Sequence, residues 1–234
     1  MTRPRIRVLS VALLALALSG CAPRGLAPEA PRELVVLVHG MGRSQFSMVP
    51  MELRLRQQGF RTLNYGYDSF GPDIETIAGD LNAVLERETE ANPPAQVHFV
   101  THSLGGIVVR QLIEDERPEH LGRVVMMAPP NQGSETADRL SKWVGWMLRP
   151  ITELKTENST VAAMPPPEAV EIAVIAGDRD GKVSLEESHL EGEAEHVVVA
   201  SGHTFIMTKP SVARMTACFL RTGATAGCEA EGDQ

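Results

Sequence analysis

Several features that mark other classes of protein are scarce in this chain. Residues 21–234 hold 19 basic and 30 acidic side chains, a formal charge of −11, because residues 1–20 contain three of the 22 basic residues and none of the 30 acidic ones. Such an acidic surface argues against nucleic acid as a partner. No internal repeat is present, which argues against a solenoid. The three cysteines and seven histidines show no metal-binding spacing, so no metal site is predicted.

Long apolar runs are also missing. A membrane-spanning helix needs roughly 20 apolar residues, and the run from Val8 to Gly20 is shorter than that. It follows a segment with three arginines and no acidic residue, an order typical of a signal peptide, which we expect over residues 1–20. The overall composition, with 43% hydrophobic and 22% charged residues, predicts one globular domain.

The letters around the first cysteine resemble a lipoprotein processing site. Leu18, Ser19 and Gly20 precede Cys21, as in the lipobox of bacterial lipoproteins. The resemblance implies lipidation of Cys21 and a lipid-anchored protein of the cell envelope, on the outer membrane facing the periplasm if the bacterium has two membranes. Attachment through acyl chains rather than a basic patch fits the acidic surface. Residues 21–32, rich in Pro and Ala, are expected to form a flexible tether.

Short valine-rich runs alternate with helical patterns along the rest of the chain. The runs cover residues 34–38, 98–101, 123–128, 171–177 and 196–200, with a weaker one at 61–65. Amphipathic patterns indicate helices over residues 73–88, 103–116 and 211–221. The alternation predicts a doubly wound, mostly parallel α/β sheet of about six strands over residues 33–222. In such a sheet the ligand sits beyond the carboxyl ends of the strands.

Two segments depart from this alternation. Residues 131–167 include Trp143 and Trp146 and are expected to form a short helical lid or cap insertion. Residues 223–234 are expected to be a disordered tail. Cys218 and Cys228 either form a disulfide that ties this tail to the last helix or remain two independent thiols.

A serine stands at the corner between a predicted strand and a predicted helix. The segment THSLGG, residues 101–106, differs from the nucleophile pattern Gly-x-Ser-x-Gly because Thr101 replaces the first glycine. Ser103 is still the candidate nucleophile, since the chemistry rests on the serine, its base and its oxyanion donors. An earlier strand ends in the turn HGMG, and the N–H groups of Met41 and Leu104 are the candidate donors of an oxyanion hole.

The base and the acid are predicted from their order along the chain. Serine attacks at neutral pH only if a base with a pKa near 7 takes its proton, which points to histidine. His203 follows the last predicted strand, where the order serine, acid, histidine requires it. Asp178 and Asp180 both follow the preceding strand. We favour Asp180, because the segment DGKV that it begins is similar to the segment around the acid of many lipases and esterases.

With these residues in hand, the chain resembles the α/β-hydrolase superfamily, and within it small bacterial lipase-like or esterase-like proteins. The resemblance covers about residues 33–222 and rests on the ordered segments HGMGRS, VTHSLGGIVVR, APPNQGSE, DGKVS and SGHTFIM. It implies hydrolysis of a carboxylic ester through an acyl-enzyme, without a cofactor. The residues expected to line the substrate pocket are His39, Gly40, Gly42, His102, Asn131, Gln132, Trp143 and Trp146.

The substrate stays open at this point. An ester or lipid is expected, but lipases, short-chain esterases, phospholipases, thioesterases and glycolipid deacylases fit the same triad. An acyltransferase uses the same acyl-enzyme, and a non-catalytic lipoprotein that binds a lipid or a partner keeps the same fold. The sequence predicts no oligomeric state.

Overall fold

The computed structural model describes residues 32–133 and 164–228. Within them, six strands form one parallel sheet in the order β2-β1-β3-β4-β5-β6. The strands are β1 (Leu34–Val38), β2 (Arg61–Tyr65), β3 (Val97–His102), β4 (Leu121–Met127), β5 (Ile172–Gly177) and β6 (Glu195–Val199). The predicted sheet is therefore confirmed, including the weak strand β2.

Some predictions fall on other parts of the chain. The predicted signal peptide, Cys21, Trp143 and Trp146 lie outside the described residues. So do most of the predicted tether and most of the predicted lid.

Five helices accompany the sheet in the described part of the chain. They are α1 (Val49–Gln57), α2 (Ile74–Ala91), α3 (Leu104–Asp115), α4 (Leu185–Ser188) and α5 (Pro210–Thr222), and 3-10 turns cover Gln45–Met48 and His203–Thr208. Helix α2 begins as predicted, because the Asp73 side chain accepts a hydrogen bond from the N–H of Thr76 at 2.9 Å. None of these helices is both long enough and apolar enough to cross a bilayer.

The sheet is buried on both faces, which explains why its central strands are continuous apolar runs. Successive side chains of a strand point to opposite faces. In β1, Leu34, Val36 and Val38 therefore pack into the layer formed with α2 and α3, whereas Val35 and Leu37 pack into the layer formed with α1 and α5. All five side chains are fully buried, so the core fixes both the strand and its register.

The end of the chain differs from the prediction of a disordered tail that begins at residue 223. Helix α5 ends at Gly223, whose φ of 80° suits glycine. Cys218 and Cys228 form a disulfide, and the N–H of Thr225 donates to the Glu195 carboxylate at 2.9 Å. Residues 223–228 are therefore tied to α5 and β6. Only residues 229–234 of the predicted tail lie outside the described residues.

Helix α3 approaches the end of β1 so closely that only glycine fits at one position. A Cβ atom on Gly105 would lie 2.5 Å from the carbonyl oxygen of Val38 and 2.7 Å from that of His39. Both neighbours are backbone atoms, which cannot turn aside as a flexible side chain can. Gly105 thus sets the distance between α3 and the sheet at the corner where Ser103 lies.

We expect Gly105→Ala to destabilise the protein by more than about 2 kcal/mol, because the added methyl group overlaps the β1 backbone. The control is Gly79→Ala on the exposed face of α2, where an added Cβ meets no atom within 4 Å. This control should stabilise the helix by about 0.5–1 kcal/mol, since alanine is the better helix former. Urea unfolding measures both changes. Equal effects of the two substitutions would contradict the packing described.

Candidate active site

Three polar segments meet at one edge of the sheet. Ser103 directly follows β3, Asp180 lies three residues after β5, and His203 lies four residues after β6. Because all six strands are parallel, their carboxyl ends lie on the same edge, and the loops that leave them come together. This is the edge at which the sequence predicts a ligand site.

Ser103 occupies a strained corner. Its φ is 52° and its ψ is −124°, a combination that L-residues seldom adopt and that costs about 1–3 kcal/mol. Hydrogen bonds hold the corner on both sides. The N–H of Ser103 donates to the carbonyl of Met127 at 2.9 Å, and its own carbonyl accepts from the N–H of Gly106 at 2.9 Å. At these backbone angles the chain leaves the direction of β3 and enters the first turn of α3.

A hydrogen-bonded relay connects Ser103, His203 and Asp180. Nε2 of His203 lies 3.0 Å from Oγ of Ser103, and Nδ1 lies 2.7 Å from Oδ2 of Asp180. A carboxylate only accepts hydrogen bonds, so Nδ1 carries the proton and Nε2 is left to accept from the serine hydroxyl. The side chains of His203 and Asp180 are 9% and 3% exposed, which keeps bulk water from competing for these bonds.

The surroundings of Asp180 favour its charged form. Its Oδ1 accepts hydrogen bonds from the N–H groups of Lys182 at 2.8 Å and Val183 at 3.0 Å. Burial alone would raise the pKa of Asp180, but the bonds from His203, Val183 and Lys182 outweigh burial, so its pKa lies below the ordinary value. A carboxylate that stays ionised beside Nδ1 fixes the orientation of the imidazole and stabilises the imidazolium form.

Asp178, the alternative acid, makes its hydrogen bonds to other partners than His203. Its Oδ1 accepts from the backbone N–H of Ser201 at 3.0 Å and from the Arg179 side chain at 3.3 Å, and its side chain is 46% exposed. It therefore joins the loop after β5 to the loop that leads to His203. The geometry favours Asp180 as the partner of the histidine.

The glycine turn after β1 lies directly against the Ser103 corner. A Cβ atom on Gly40 would lie 2.9 Å from Cβ of Ser103, so a larger residue would force the two segments apart. The N–H of Gly42 donates to the buried Oγ of Ser69 at 2.9 Å, which anchors the far side of the turn. Among residues 32–133 and 164–228, no acceptor is found for the N–H groups of Met41 and Leu104.

Two of the predicted pocket residues, His39 and Asn131, are buried and hydrogen-bonded within the protein. His39 is fully buried, Nδ1 bonds to the Gly40 carbonyl at 2.9 Å, and its ring stacks on that of Tyr67 with centroids 4.2 Å apart. The buried Asn131 amide donates to the Ser188 carbonyl at 2.9 Å. The Gln132 amide, although exposed, donates to the His189 carbonyl at 3.1 Å. His39 and Asn131 therefore make their hydrogen bonds inside the protein, and their place in a substrate pocket stays a prediction.

His102, another predicted pocket residue, is bonded to the segment that contains His203. It is 2% exposed, and Nε2 donates to the backbone carbonyl of His203 at 2.9 Å. Burial, together with the nearby His203, lowers the pKa of His102 to about 3, so the ring stays neutral. No sequence signal distinguished this role, since it depends on a contact between residues 101 positions apart.

Thr101, which departs from the usual glycine, is accommodated on the helix side of the corner. Its side chain is fully buried, and Oγ1 would lie 3.3 Å from a Cβ atom on Gly106. A larger residue at position 106 would crowd the threonine. Because residue 106 is a glycine, the helix side of the corner has room for the Thr101 side chain. In the usual pattern, the first glycine provides this room on the strand side.

A groove opens beside His203. It encloses about 320 Å³ and is lined by Arg179, Gly181, Lys182, Gly202, Thr204 and Phe205 in addition to His203. The Phe205 side chain is 65% exposed. A larger cavity of about 530 Å³ lies near Val97, the first residue of β3, at the opposite edge of the sheet. That cavity contains none of the three relay residues, so the smaller groove is the candidate substrate site.

Comparison with protein families identifies the sequence family. A family model described as "Domain of unknown function (DUF7379)" matches residues 18–176, more than half of the chain. The chain belongs to the DUF7379 family. The match includes Ser103 and ends before Asp180 and His203. No curated protein matches this DUF7379 chain.

Solved structures identify the fold of the DUF7379 chain. A lipase from Bacillus licheniformis in its mature form matches with a TM-score of 0.62 at 15% identity, covering 85% of this chain and 94% of the lipase. An esterase from Exiguobacterium antarcticum gives 0.64 at 13% identity, covering 82% and 93%. A phospholipase from Legionella pneumophila gives 0.64 at 16% identity, covering 83% of this chain and 57% of the phospholipase. The predicted α/β-hydrolase fold is confirmed.

The buried histidines of this DUF7379 protein predict a loss of stability in mild acid. Burial lowers the pKa of His98 to about 4 and that of His102 to about 3, whereas an unfolded chain protonates histidine near pH 6.5. The unfolded state therefore binds more protons below pH 6.5, and the free energy of unfolding falls as pH decreases. In urea unfolding between pH 6.5 and 5, these two histidines should contribute a slope approaching about 2.7 kcal/mol per pH unit, and His39, whose pKa burial also lowers, adds to the same trend.

The slope itself is the readout for this prediction. His98→Gln should reduce the slope by up to about 1.4 kcal/mol per pH unit, whatever the variant does to stability at pH 7. Stability that stays constant between pH 6.5 and 5 would contradict neutral, buried histidines.

Proposed function

We propose that the protein is a serine hydrolase that cleaves carboxylic esters through an acyl-enzyme on Ser103. The observation that carries the proposal is the relay of hydrogen bonds from Ser103 Oγ through His203 to Asp180, at 3.0 Å and 2.7 Å. His203 acts as the general base and Asp180 as the orienting acid. The strained φ of 52° at Ser103 supports the same proposal, since such strain concentrates at functional sites.

In the proposed reaction, Ser103 Oγ attacks the ester carbonyl carbon while its proton passes to Nε2 of His203. The carbonyl oxygen becomes an oxyanion and accepts hydrogen bonds from the N–H groups of Met41 and Leu104, each worth roughly 10² to 10³ in rate. The imidazolium gives its proton to the leaving alkoxide, which departs as an alcohol. The acyl group remains on Ser103 as a new ester.

Water completes the cycle. His203 takes a proton from a water molecule as the water oxygen attacks the acyl-enzyme carbonyl, and the proton returns to Ser103 Oγ when the bond to the serine breaks. The acid product leaves, and the residues regain their starting protonation. Every proton in this sequence moves between substrate, water, Ser103 and His203, so the proposed reaction uses no cofactor.

Features around the groove support an acyl substrate. Phe205 follows His203 by two residues and is 65% exposed. Phe70 is 44% exposed and approaches Gly42 in the glycine turn after β1. Exposed aromatic side chains on both loops suit the apolar chain of an ester or lipid. The names of the fold neighbours, among them lipase, esterase and phospholipase, support the same class of substrate.

Turnover of p-nitrophenyl esters of graded chain length tests the proposal. The wild type should hydrolyse at least one ester in the series, and Ser103→Ala should lose about 10⁴-fold or more in kcat without losing the fold. A folded wild type that turns over none of the esters would contradict the proposal and favour a binding function. Circular dichroism of both proteins provides the control for folding.

The two aspartates provide a matched pair for the acid. Asp180→Asn should lower kcat by about 10³ to 10⁴, since the amide no longer holds the imidazole with a proton on Nδ1. Asp178→Asn should keep kcat within about tenfold, because its carboxylate bonds to Ser201 rather than to His203. The assay is again p-nitrophenyl ester hydrolysis. A larger loss for Asp178→Asn than for Asp180→Asn would reverse the assignment.

A further inference from the structure

We propose that His189, Glu193 and His196 form a binding site for a divalent transition-metal ion of the Zn²⁺ type. The three residues lie in the connection from α4 to β6, since His189 directly follows α4 and His196 is the second residue of β6. This cluster is separate from Ser103 and its partners, and the proposal does not depend on the function proposed above. It departs from the sequence analysis, which predicted no metal site.

The potential ligand atoms of the cluster converge on one point. Nδ1 of His189 lies 2.6 Å from Oε1 of Glu193 and 2.7 Å from Nδ1 of His196, and Nδ1 of His196 lies 3.0 Å from the same Oε1. Two imidazole nitrogens and a carboxylate oxygen, all within 4.8 Å of one another, offer three ligands on one side of a potential ion. The ring centroids of the two histidines are only 3.7 Å apart.

The tautomer of His196 is set by a hydrogen bond outside the cluster. The Ser188 hydroxyl donates its proton to the carbonyl of Leu185 at 2.7 Å, so its oxygen accepts from Nε2 of His196 at 3.2 Å. In the neutral ring Nδ1 then carries a lone pair and points at Nδ1 of His189 and at the Glu193 carboxylate. Metal-binding histidines commonly donate their second ring N–H in this way, which fixes the ligand nitrogen.

The carboxylate is held in a similar manner. Oε2 of Glu193 accepts from the N–H of Leu190 at 3.1 Å, which leaves Oε1 for the cluster. The turn between them requires Gly192, whose φ is 77°. The side chains of Glu193 and His196 are each 11% exposed, whereas that of His189 is 58% exposed. Two ligands are therefore fixed and sheltered, and the third faces solvent, where an ion and a water ligand can enter.

The donor set selects the class of ion. Two imidazole nitrogens and one carboxylate suit Zn²⁺ and neighbouring transition metals, whereas Mg²⁺ and Ca²⁺ prefer oxygen ligands alone. With metal–ligand bonds of about 2.0 to 2.2 Å, donors around a tetrahedral ion lie about 3.3 Å apart. An outward rotation of the exposed His189 ring would lengthen its distances of 2.6 and 2.7 Å toward that value, and the 3.0 Å between His196 and Glu193 is already close to it. A water molecule would occupy the fourth position.

The bound ion would act on the connection between the strands that carry Asp180 and His203. The Ser188 carbonyl accepts the Asn131 amide, and the His189 carbonyl accepts the Gln132 amide. Holding residues 188–196 in place would therefore also hold the segment that follows β4. The expected role is stabilisation of this side of the fold.

The test uses the full chain, purified without a histidine tag and stripped with a chelator. Calorimetric titration with Zn²⁺ should show one ion bound per chain. At a Zn²⁺ concentration about 100 times Kd, Tm should rise by about 5 °C or more, and the same concentration of Mg²⁺ should leave Tm unchanged. An absence of saturable Zn²⁺ binding would overturn the proposal.

Variants locate the ion. Glu193→Gln and His189→Ala should each weaken Zn²⁺ binding at least tenfold, and Ser188→Ala should weaken it about 10- to 100-fold through the orientation of His196. Glu191→Gln, at an exposed acid in the same turn, is the matched control and should bind as the wild type does. His189 is exposed enough for its substitution to keep the fold. Undiminished binding by both His189→Ala and Glu193→Gln would overturn the site.

Discussion

The close approach of three backbone segments at the end of β3 is the constraint on which the candidate active site depends. Neither Gly40 nor Gly105 has room for a Cβ atom, and Ser103 between them adopts a φ of 52°. This contact fixes Ser103 relative to the glycine turn after β1 and the start of α3. The corner costs about 1–3 kcal/mol in strain, which a sheet buried on both faces can offset.

The loops that leave the strands are joined to one another as well as to the sheet. His102, next to Ser103, donates to the backbone of His203, so the segments of Ser103 and His203 share a second hydrogen bond besides the one between their side chains. Asp178 joins the loop of Asp180 to Ser201, two residues before His203. In the proposed reaction, such connections would hold the polar groups in place before a substrate arrives and so lower the cost of reaching the transition state.

The sequence predicted features that local patterns determine. Apolar runs indicated the central strands because these strands pack on both faces. Chain order pointed to Ser103 and His203, whereas the preference for Asp180 over Asp178 came from the resemblance of the segment DGKV. Helix α1 was not predicted, because Met51 and Leu55 are its only buried apolar residues. Two such positions form an apolar stripe too narrow to indicate a helix. The internal role of His39 depends on Tyr67, which is 28 positions away and which only the folded chain brings close. His189, Glu193 and His196 are near one another in the sequence, but their ligand atoms converge only because the turn at Gly192 folds back, with a φ of 77°.

The central claim is that Ser103 Oγ is a nucleophile activated by His203. A fluorophosphonate reports this directly, because its phosphorus forms a stable bond only with a serine whose proton a base removes. Peptide mass spectrometry after incubation should locate one adduct per chain on Ser103 in the wild type, and His203→Gln should acquire it far more slowly. A folded wild type without an adduct, or with the adduct on another residue, would contradict the account.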